Sequence, residues 1–129
     1  MTLFHRWNIY NWKVEYTDEF EEWWNGLTEG EQEDFAAVVT LLTEHGPQLP
    51  YPYSSGINGS KHGHMRELRV QSGGKPLRGF YAFDPRRTAI LLIGGDKTGD
   101  DRFYKEMVPV ADRLYDDYIA ELRKEGLIK

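Results

Sequence analysis

The residues most able to do chemistry in this chain are cations concentrated in its middle. Consecutive segments carry net charges of -8 over 1–50, +5 over 51–105 and -2 over 106–129, within a total of -5. A cationic segment in an acidic protein indicates a polyanionic partner, because surface charge without a role would follow the sign of the whole chain. The cations of this segment are Lys61, Arg66, Arg69, Lys75, Arg78, Arg86, Arg87, Lys97, Arg102 and Lys105.

Two arginines on neighbouring predicted strands are the strongest candidates for binding a phosphate. Side chains alternate along a strand, so Arg69 lies on the face opposite Leu68, and Arg78 lies on the face opposite Tyr81. If Leu68 and Tyr81 belong to the core, both arginines lie on the same open surface of the sheet. Pairing with Glu67 and other carboxylates across strands would equally explain the two arginines, and both interpretations stay open.

Lys97 lies in a glycine-rich turn, Gly94-Gly95-Asp96-Lys97-Thr98-Gly99-Asp100. Glycine permits close backbone approach, and a lysine supplies a compact charge for a phosphate. The segment is not a nucleotide-binding P-loop, because Asp96 rather than glycine precedes the lysine. It equally fits a plain turn between a strand and a helix, with Asp100 as the N-cap of that helix.

The segment Lys61-His62-Gly63-His64 offers proton-transfer chemistry. An unperturbed histidine has a pKa of about 6.5 and exchanges protons near neutrality. The two histidines lack a nearby Cys, Asp or Glu at ligand-like spacing, so we predict no metal and no cofactor. Exposed loop histidines without a role are the alternative.

The apolar pattern predicts the elements that must position these side chains. They are a strand over Trp12–Tyr16, helices over 18–26 and from Thr28 to Gly46-Pro47, a meander of strands His64–Ser72, Leu77–Asp84 and Thr88–Gly94, and a helix over Asp101–Gly126. Residues 46–63 predict a long loop without a regular element, and Pro109 predicts a kink or restart. The strand 88–94 is apolar on both faces, so we expect it to be central.

These elements predict an α+β fold: a small antiparallel-rich sheet in the order β-α-α-β-β-β-α, with two N-terminal helices and a C-terminal helix in one domain over 1–129. The chain has no cysteine, which excludes disulfides, thiolate metal sites and a cysteine nucleophile. No apolar run is long enough to span a membrane, and the first residues lack a signal-peptide core. We therefore expect a cytoplasmic protein without a membrane partner.

The chain resembles the RelE/HigB-type toxins of bacterial type II toxin–antitoxin pairs, in the branch related to phage proteins. The resemblance covers roughly residues 50–120. It is carried by Pro52-Tyr53-Ser54, Met65-Arg66-Glu67-Leu68-Arg69, Leu77-Arg78-Gly79-Phe80-Tyr81, and Ile90-Leu91-Leu92-Ile93 leading into Gly95-Asp96-Lys97-Thr98.

The resemblance implies a RelE-like fold, cleavage of mRNA in the ribosomal A site, and a cognate antitoxin, the ribosome and mRNA as partners. It places Arg69, Arg78 and Lys97 around the scissile phosphate, with His64 preferred over His62, Asp96 and Tyr104 as the acid or base. Lys61, His62, Arg66 and Arg102 would contact RNA. Two alternatives remain open: a ParE-like toxin that inhibits gyrase without cutting RNA, and a degenerate toxin that only binds its antitoxin.

Overall fold

A computed structural model describes residues 12–129 of the chain as a five-stranded sheet with helices on both faces. In chain order the elements are β1 (Val14–Tyr16), α1 (Asp18–Asn25), α2 (Glu29–His45), a 3-10 turn (Gly46–Gln48), β2 (Ser54–Gly56), β3 (Arg66–Ser72), β4 (Lys75–Phe83), β5 (Ala89–Asp96) and α3 (Phe103–Lys124). The strand order is β1-β5-β4-β3-β2. Strand β1 is parallel to β5, and the other neighbours are antiparallel. The predicted α+β class is confirmed.

The prediction that residues 46–63 hold no regular element is wrong. The 3-10 turn opens this region, and β2 lies within it, so the true order has four strands between α2 and α3. Strand β2 has only three residues, Ser-Ser-Gly, which have little intrinsic β preference. It forms because Ser54 and Gly56 pair with Leu68 and Arg66 of β3, a contact that local sequence does not encode.

Threonine caps begin the first two helices, as the sequence predicts. The Thr17 hydroxyl accepts from the Phe20 amide at 3.0 Å and donates to the Leu92 carbonyl at 2.6 Å, which ties α1 to β5. At Thr28 the predicted capping box forms, because its hydroxyl accepts from the Glu31 amide and the Glu31 carboxylate accepts from the Thr28 amide. These caps satisfy amides that a helix leaves without partners.

The sheet separates two apolar cores. Helices α1 and α2 cover one face, where Phe20 and Phe35 pack with Leu91, and α3 covers the other, where Phe103 packs with Ile90. This two-sided burial explains why β5 is apolar at consecutive positions. Strand β5 is an interior strand, with β4 at the middle of the sheet.

Helix α3 passes through Pro109 without interruption, so the predicted restart is wrong. Pro109 and Lys105 are both exposed, and solvent can satisfy the Lys105 carbonyl that loses its helical partner. The N-cap is Arg102 rather than Asp100, whose carboxylate accepts from the Arg102 amide at 3.0 Å. Over residues 12–129, no helix has the length and apolar character that crossing a membrane requires.

Candidate functional site

Arg69 and Arg78 lie directly opposite each other on β3 and β4, on the face that α3 partly covers. Two like charges in this position normally destabilise a sheet. Glu67 shares their face and supplies the compensating negative charge. Arg78 is only 4% exposed and Glu67 only 3%, so this charge pair belongs to the interior of the protein. The prediction of an open sheet surface is therefore wrong for Arg78, because α3 packs over this face.

The Glu67 carboxylate connects four elements. Its Oε1 accepts from the Tyr104 hydroxyl at 2.6 Å and lies 3.6 Å from Arg78 Nε. Its Oε2 accepts from the Ser55 hydroxyl at 2.8 Å and lies 3.5 Å from Arg69 Nη1. We call these residues the Glu67 cluster: Ser55, Glu67, Arg69, Arg78 and Tyr104.

Arg78 has an unused hydrogen-bonding capacity. Its Nη1 donates to the Leu77 carbonyl at 3.0 Å, but its buried Nε has no hydrogen-bond partner among the described residues. The 3.6 Å separation from Glu67 is an ion-pair distance and is too long for a hydrogen bond. A guanidinium stays charged under all ordinary conditions, so this buried donor is suited to an incoming anion.

Lys97 lies beside Tyr104 of the Glu67 cluster. Burial, followed by the hydrogen bond to Glu67, raises the pKa of Tyr104, so its phenol is protonated at neutral pH. Lys97 Nζ lies 5.3 Å from the centroid of the Tyr104 ring, within cation–π range. The structure thus brings together Arg69, Arg78 and Lys97, three of the four predicted catalytic residues.

Asp96, which the sequence offers as a possible acid or base, forms its hydrogen bonds within its own turn. Its Oδ1 accepts from the Thr98 amide at 2.9 Å and the Thr98 hydroxyl at 2.6 Å. These hydrogen bonds hold the pKa of Asp96 below its ordinary value. The carboxylate therefore shapes the turn that carries Lys97.

A groove of about 370 Å³ adjoins the two arginines. One wall comes from the segment before β2 and the other from α2. The residues lining the groove are Asp34, Ala37, Val38, Pro52, Tyr53, Arg69, Val70, Gln71 and Arg78. The groove therefore borders the Arg69–Arg78 pair.

Three predicted residues of the loop before β3 contact the second half of α3: Lys61, His62 and His64. Lys61 forms an ion pair with Asp116, and His62 Nε2 donates to Asp116 Oδ1 at 2.8 Å. The Tyr115 hydroxyl donates to the Phe83 carbonyl at 3.1 Å, so His64 Nε2 must be the donor in its 3.2 Å contact with that hydroxyl. We call these residues the histidine cluster: Ser60, Lys61, His62, His64, Asp112, Tyr115 and Asp116.

Asp112 anchors the loop that carries this histidine cluster. Its Oδ1 accepts from the Ser60 hydroxyl at 2.5 Å, and its Oδ2 accepts from the Lys61 amide at 3.0 Å. Tyr104 and Tyr115 are eleven residues apart on one helix, which separates their Cα atoms by about 16 Å. The structure therefore does not bring His64 beside the Arg69–Arg78 pair.

The other predicted RNA contacts lie elsewhere. Arg66 Nε donates to the Ser54 hydroxyl at 2.9 Å, and alternation along β3 puts Arg66 on the face opposite Arg69. The exposed side chain of Arg102 forms a 3.9 Å ion pair with Glu106, of the kind that contributes little to stability.

The sequence indicates Glu67 only as a pairing partner for the arginines, and it does not single out Ser55. Alternation already placed Glu67 on the face of Arg69, and that signal was sufficient to propose a network. What it could not supply was the burial of the carboxylate, which depends on α3 bringing Tyr104 over the sheet.

A five-stranded sheet with helices on both faces and an arginine pair near the start of α3 is a small RelE-like α+β fold. Residues 22–116 match the family described as phage-derived protein Gp49-like (DUF891). The chain belongs to this family, and the resemblance to RelE/HigB-type toxins is confirmed.

Two proteins of Mycobacterium tuberculosis (strain H37Rv) are similar to most of the chain. The one named "Putative toxin HigB2" is 36% identical over 106 residues, which cover 81% of this chain and 53% of that protein. The one named "Putative toxin HigB3" is 36% identical over 103 residues, which cover 79% of this chain and 89% of that protein. The chain thus spans about half the length of the first relative and most of the second. No solved structure matches it.

Proposed function

We propose that this protein is the toxin of a type II toxin–antitoxin system and that it cleaves mRNA on the ribosome. Its family and the names of its relatives support a toxin with a cognate antitoxin as partner. The observation that carries the proposal of RNA cleavage is the Arg69–Arg78 pair, which adjoins a groove and retains an unpartnered Arg78 Nε. We expect the protein to act in the cytoplasm, where the ribosome and mRNA are found.

The proposed reaction needs no metal. The ribose 2'-oxygen attacks the adjacent phosphorus while the bond from phosphorus to the 5'-oxygen breaks, leaving a 2',3'-cyclic phosphate and a 5'-hydroxyl. Arg69 and Arg78 bind the phosphate oxygens, because a planar guanidinium suits this geometry and stabilises the charge that develops on them.

The Tyr104–Glu67 pair is the proposed route for the proton of the 2'-hydroxyl. Tyr104 already donates to Glu67 at 2.6 Å, so its oxygen can accept the substrate proton as its own proton passes to the carboxylate. Lys97 then donates a proton to the departing 5'-oxygen. We assign proton transfer to this pair rather than to His64, because His64 is directed to Tyr115 on the far part of α3.

Mapping of transcript 5' ends after induced expression tests this function. We expect growth arrest and cuts confined to translated regions, with 5'-hydroxyl ends. Arg69→Ala should reduce the cleavage rate by roughly a hundredfold or more, because one lost transition-state contact typically has this effect. Arg113→Ala is the matched control, since Arg113 is an exposed arginine on α3 and its loss changes the net charge equally.

Arg78→Lys is the companion variant, because it keeps the buried positive charge but removes the planar donor group. A folded Arg78→Lys protein that cuts mRNA like the parent would contradict the site assignment. Cuts that appear equally in untranslated RNA would contradict ribosome dependence.

A non-nucleolytic role is the second candidate, and one observation favours it. Glu67 lies within ion-pair distance of both arginines and partly neutralises them. In a gyrase inhibitor, or in a degenerate toxin that only binds its antitoxin, the ion pairing of Glu67 with the two arginines would serve only to stabilise the fold. Growth arrest with intact mRNA and accumulated DNA breaks would support the first of these, and normal growth together with antitoxin binding would support the second.

A further inference from the structure

Two tyrosines stand out on the surface next to the Arg69–Arg78 groove. Tyr51 is 70% exposed and Tyr53 is 41% exposed, whereas large aromatic side chains usually bury most of their area. They are separated by one residue and lie just before β2. Two exposed rings leave apolar surface for a ligand to cover.

The backbone at Tyr53 is held by two hydrogen bonds. The Tyr53 amide donates to the Pro50 carbonyl at 3.0 Å, and the Tyr53 carbonyl accepts from the Arg69 amide at 2.8 Å. The second bond continues the β2–β3 pairing toward the tyrosines. A fixed backbone lowers the entropic cost of binding, because the ligand does not have to order this segment of the chain.

Arg69 links the tyrosines to the Glu67 cluster. Its guanidinium carbon lies 5.0 Å from the centroid of the Tyr51 ring, and its Nη1 lies 3.5 Å from Glu67 Oε2. Tyr53 and Arg78 line the same groove of about 370 Å³, a volume typical of small-ligand sites. Aromatic faces and phosphate-binding groups therefore adjoin each other in one site.

We propose that Tyr51 and Tyr53 form a stacking platform for an unpaired nucleobase of single-stranded RNA, next to the phosphate bound by Arg69 and Arg78. Single-stranded RNA is read largely by stacking of splayed bases on aromatic side chains, with cations tracking the backbone. The location of the phosphate rests on the proposed function. The platform itself concerns binding, so it can be tested without cleavage.

The test is fluorescence anisotropy with the full chain, a labelled twelve-nucleotide single-stranded RNA, and the same oligonucleotide made abasic at its central positions. We expect Tyr51→Leu and Tyr53→Leu each to weaken binding of the intact RNA by roughly tenfold, in line with the loss of one stacked base. Tyr51→Phe should bind like the parent, because the ring is kept. The abasic RNA should bind equally to the parent and to both leucine variants.

The outcomes of this test distinguish an error in the stacking platform from an error in the proposed cleavage activity. If both leucine variants bind the intact RNA like the parent while Arg69→Ala binds weakly, the platform is wrong and the phosphate site stands. If the parent binds no RNA, or if the leucine variants lose only the antitoxin, the platform is also wrong. Tyrosine-dependent binding without any cleavage on ribosomes would uphold the platform and overturn the proposed activity.

Discussion

The Glu67 cluster and the histidine cluster both join basic residues to at least one carboxylate and to a tyrosine of α3, yet they are built differently. Glu67 is 3% exposed and lies beneath the helix on the sheet. The side chains of Lys61, in the loop before β3, and Asp116, on α3, are 62% and 40% exposed. Each side chain of the histidine cluster has a hydrogen-bond or ion-pair partner, whereas the Arg78 Nε of the Glu67 cluster has no hydrogen-bond partner among the described residues.

This difference distinguishes contacts that hold a loop in place from a site that can bind a ligand. Each side chain of the histidine cluster has a partner within the cluster, and these contacts hold the loop against α3. A buried guanidinium with a spare donor is costly unless something occupies it. The Glu67 cluster is therefore the better candidate for the proposed phosphate binding, whereas the contacts of the histidine cluster hold its loop against α3.

The largest effect should come from Glu67→Ala. It removes the acceptor for Tyr104 and Ser55 and leaves Arg78 as an uncompensated buried charge, which typically costs about 3–5 kcal/mol of unfolding free energy. Urea denaturation measures the change. The matched control is Glu106→Ala, which breaks an exposed 3.9 Å pair with Arg102 and should cost less than about 1 kcal/mol. Equal stability losses would contradict the contrast between buried and exposed pairs.

Tyr104→Phe should come next, and its largest effect should be on activity. The variant keeps the ring beneath Lys97 but removes the hydroxyl between substrate and Glu67. We expect cleavage on programmed ribosomes to fall by roughly a hundredfold, within the usual range for a lost proton-transfer group. His64→Ala is the comparison variant and should retain cleavage. The reverse order of effects would return the proton-transfer role to His64.

Asp112→Ala should weaken the attachment of the loop to α3 while leaving cleavage intact. The variant removes the acceptor of the Ser60 hydroxyl and the Lys61 amide, and two such bonds to a carboxylate are worth about 1–3 kcal/mol. Hydrogen exchange over residues 57–64 should accelerate. Asp117→Ala, an exposed neighbour on the same helix, should leave that exchange unchanged. Loss of cleavage by folded Asp112→Ala protein would show that the histidine cluster takes part in the reaction.

These particular residues show what the sequence could and could not predict. Thr17 and Thr28 cap their helices as expected, because capping is set by residues within one turn. Alternation correctly placed Arg69 and Arg78 on one face, because strand geometry is also local. The burial of Arg78 and the attachment of His64 to Tyr115 depend on where α3 crosses the sheet, which no local pattern contains.

The smallest effect should be an acid dependence of the histidine cluster. Hydrogen bonding and charge attraction from Lys61 hold the pKa of Asp116 below its ordinary value, with His62 adding a smaller contribution. A carboxyl whose pKa is lower in the folded protein stabilises it above its unfolded pKa of about 3.9, and this stabilisation is lost as the pH falls through the folded value. Asp116→Asn should therefore melt slightly earlier than the parent near neutral pH, and the two curves should converge in acid. Because the pair is exposed, salt should shrink the difference. A gap that persists at low pH would mean that the amide disturbs packing instead of removing a charge.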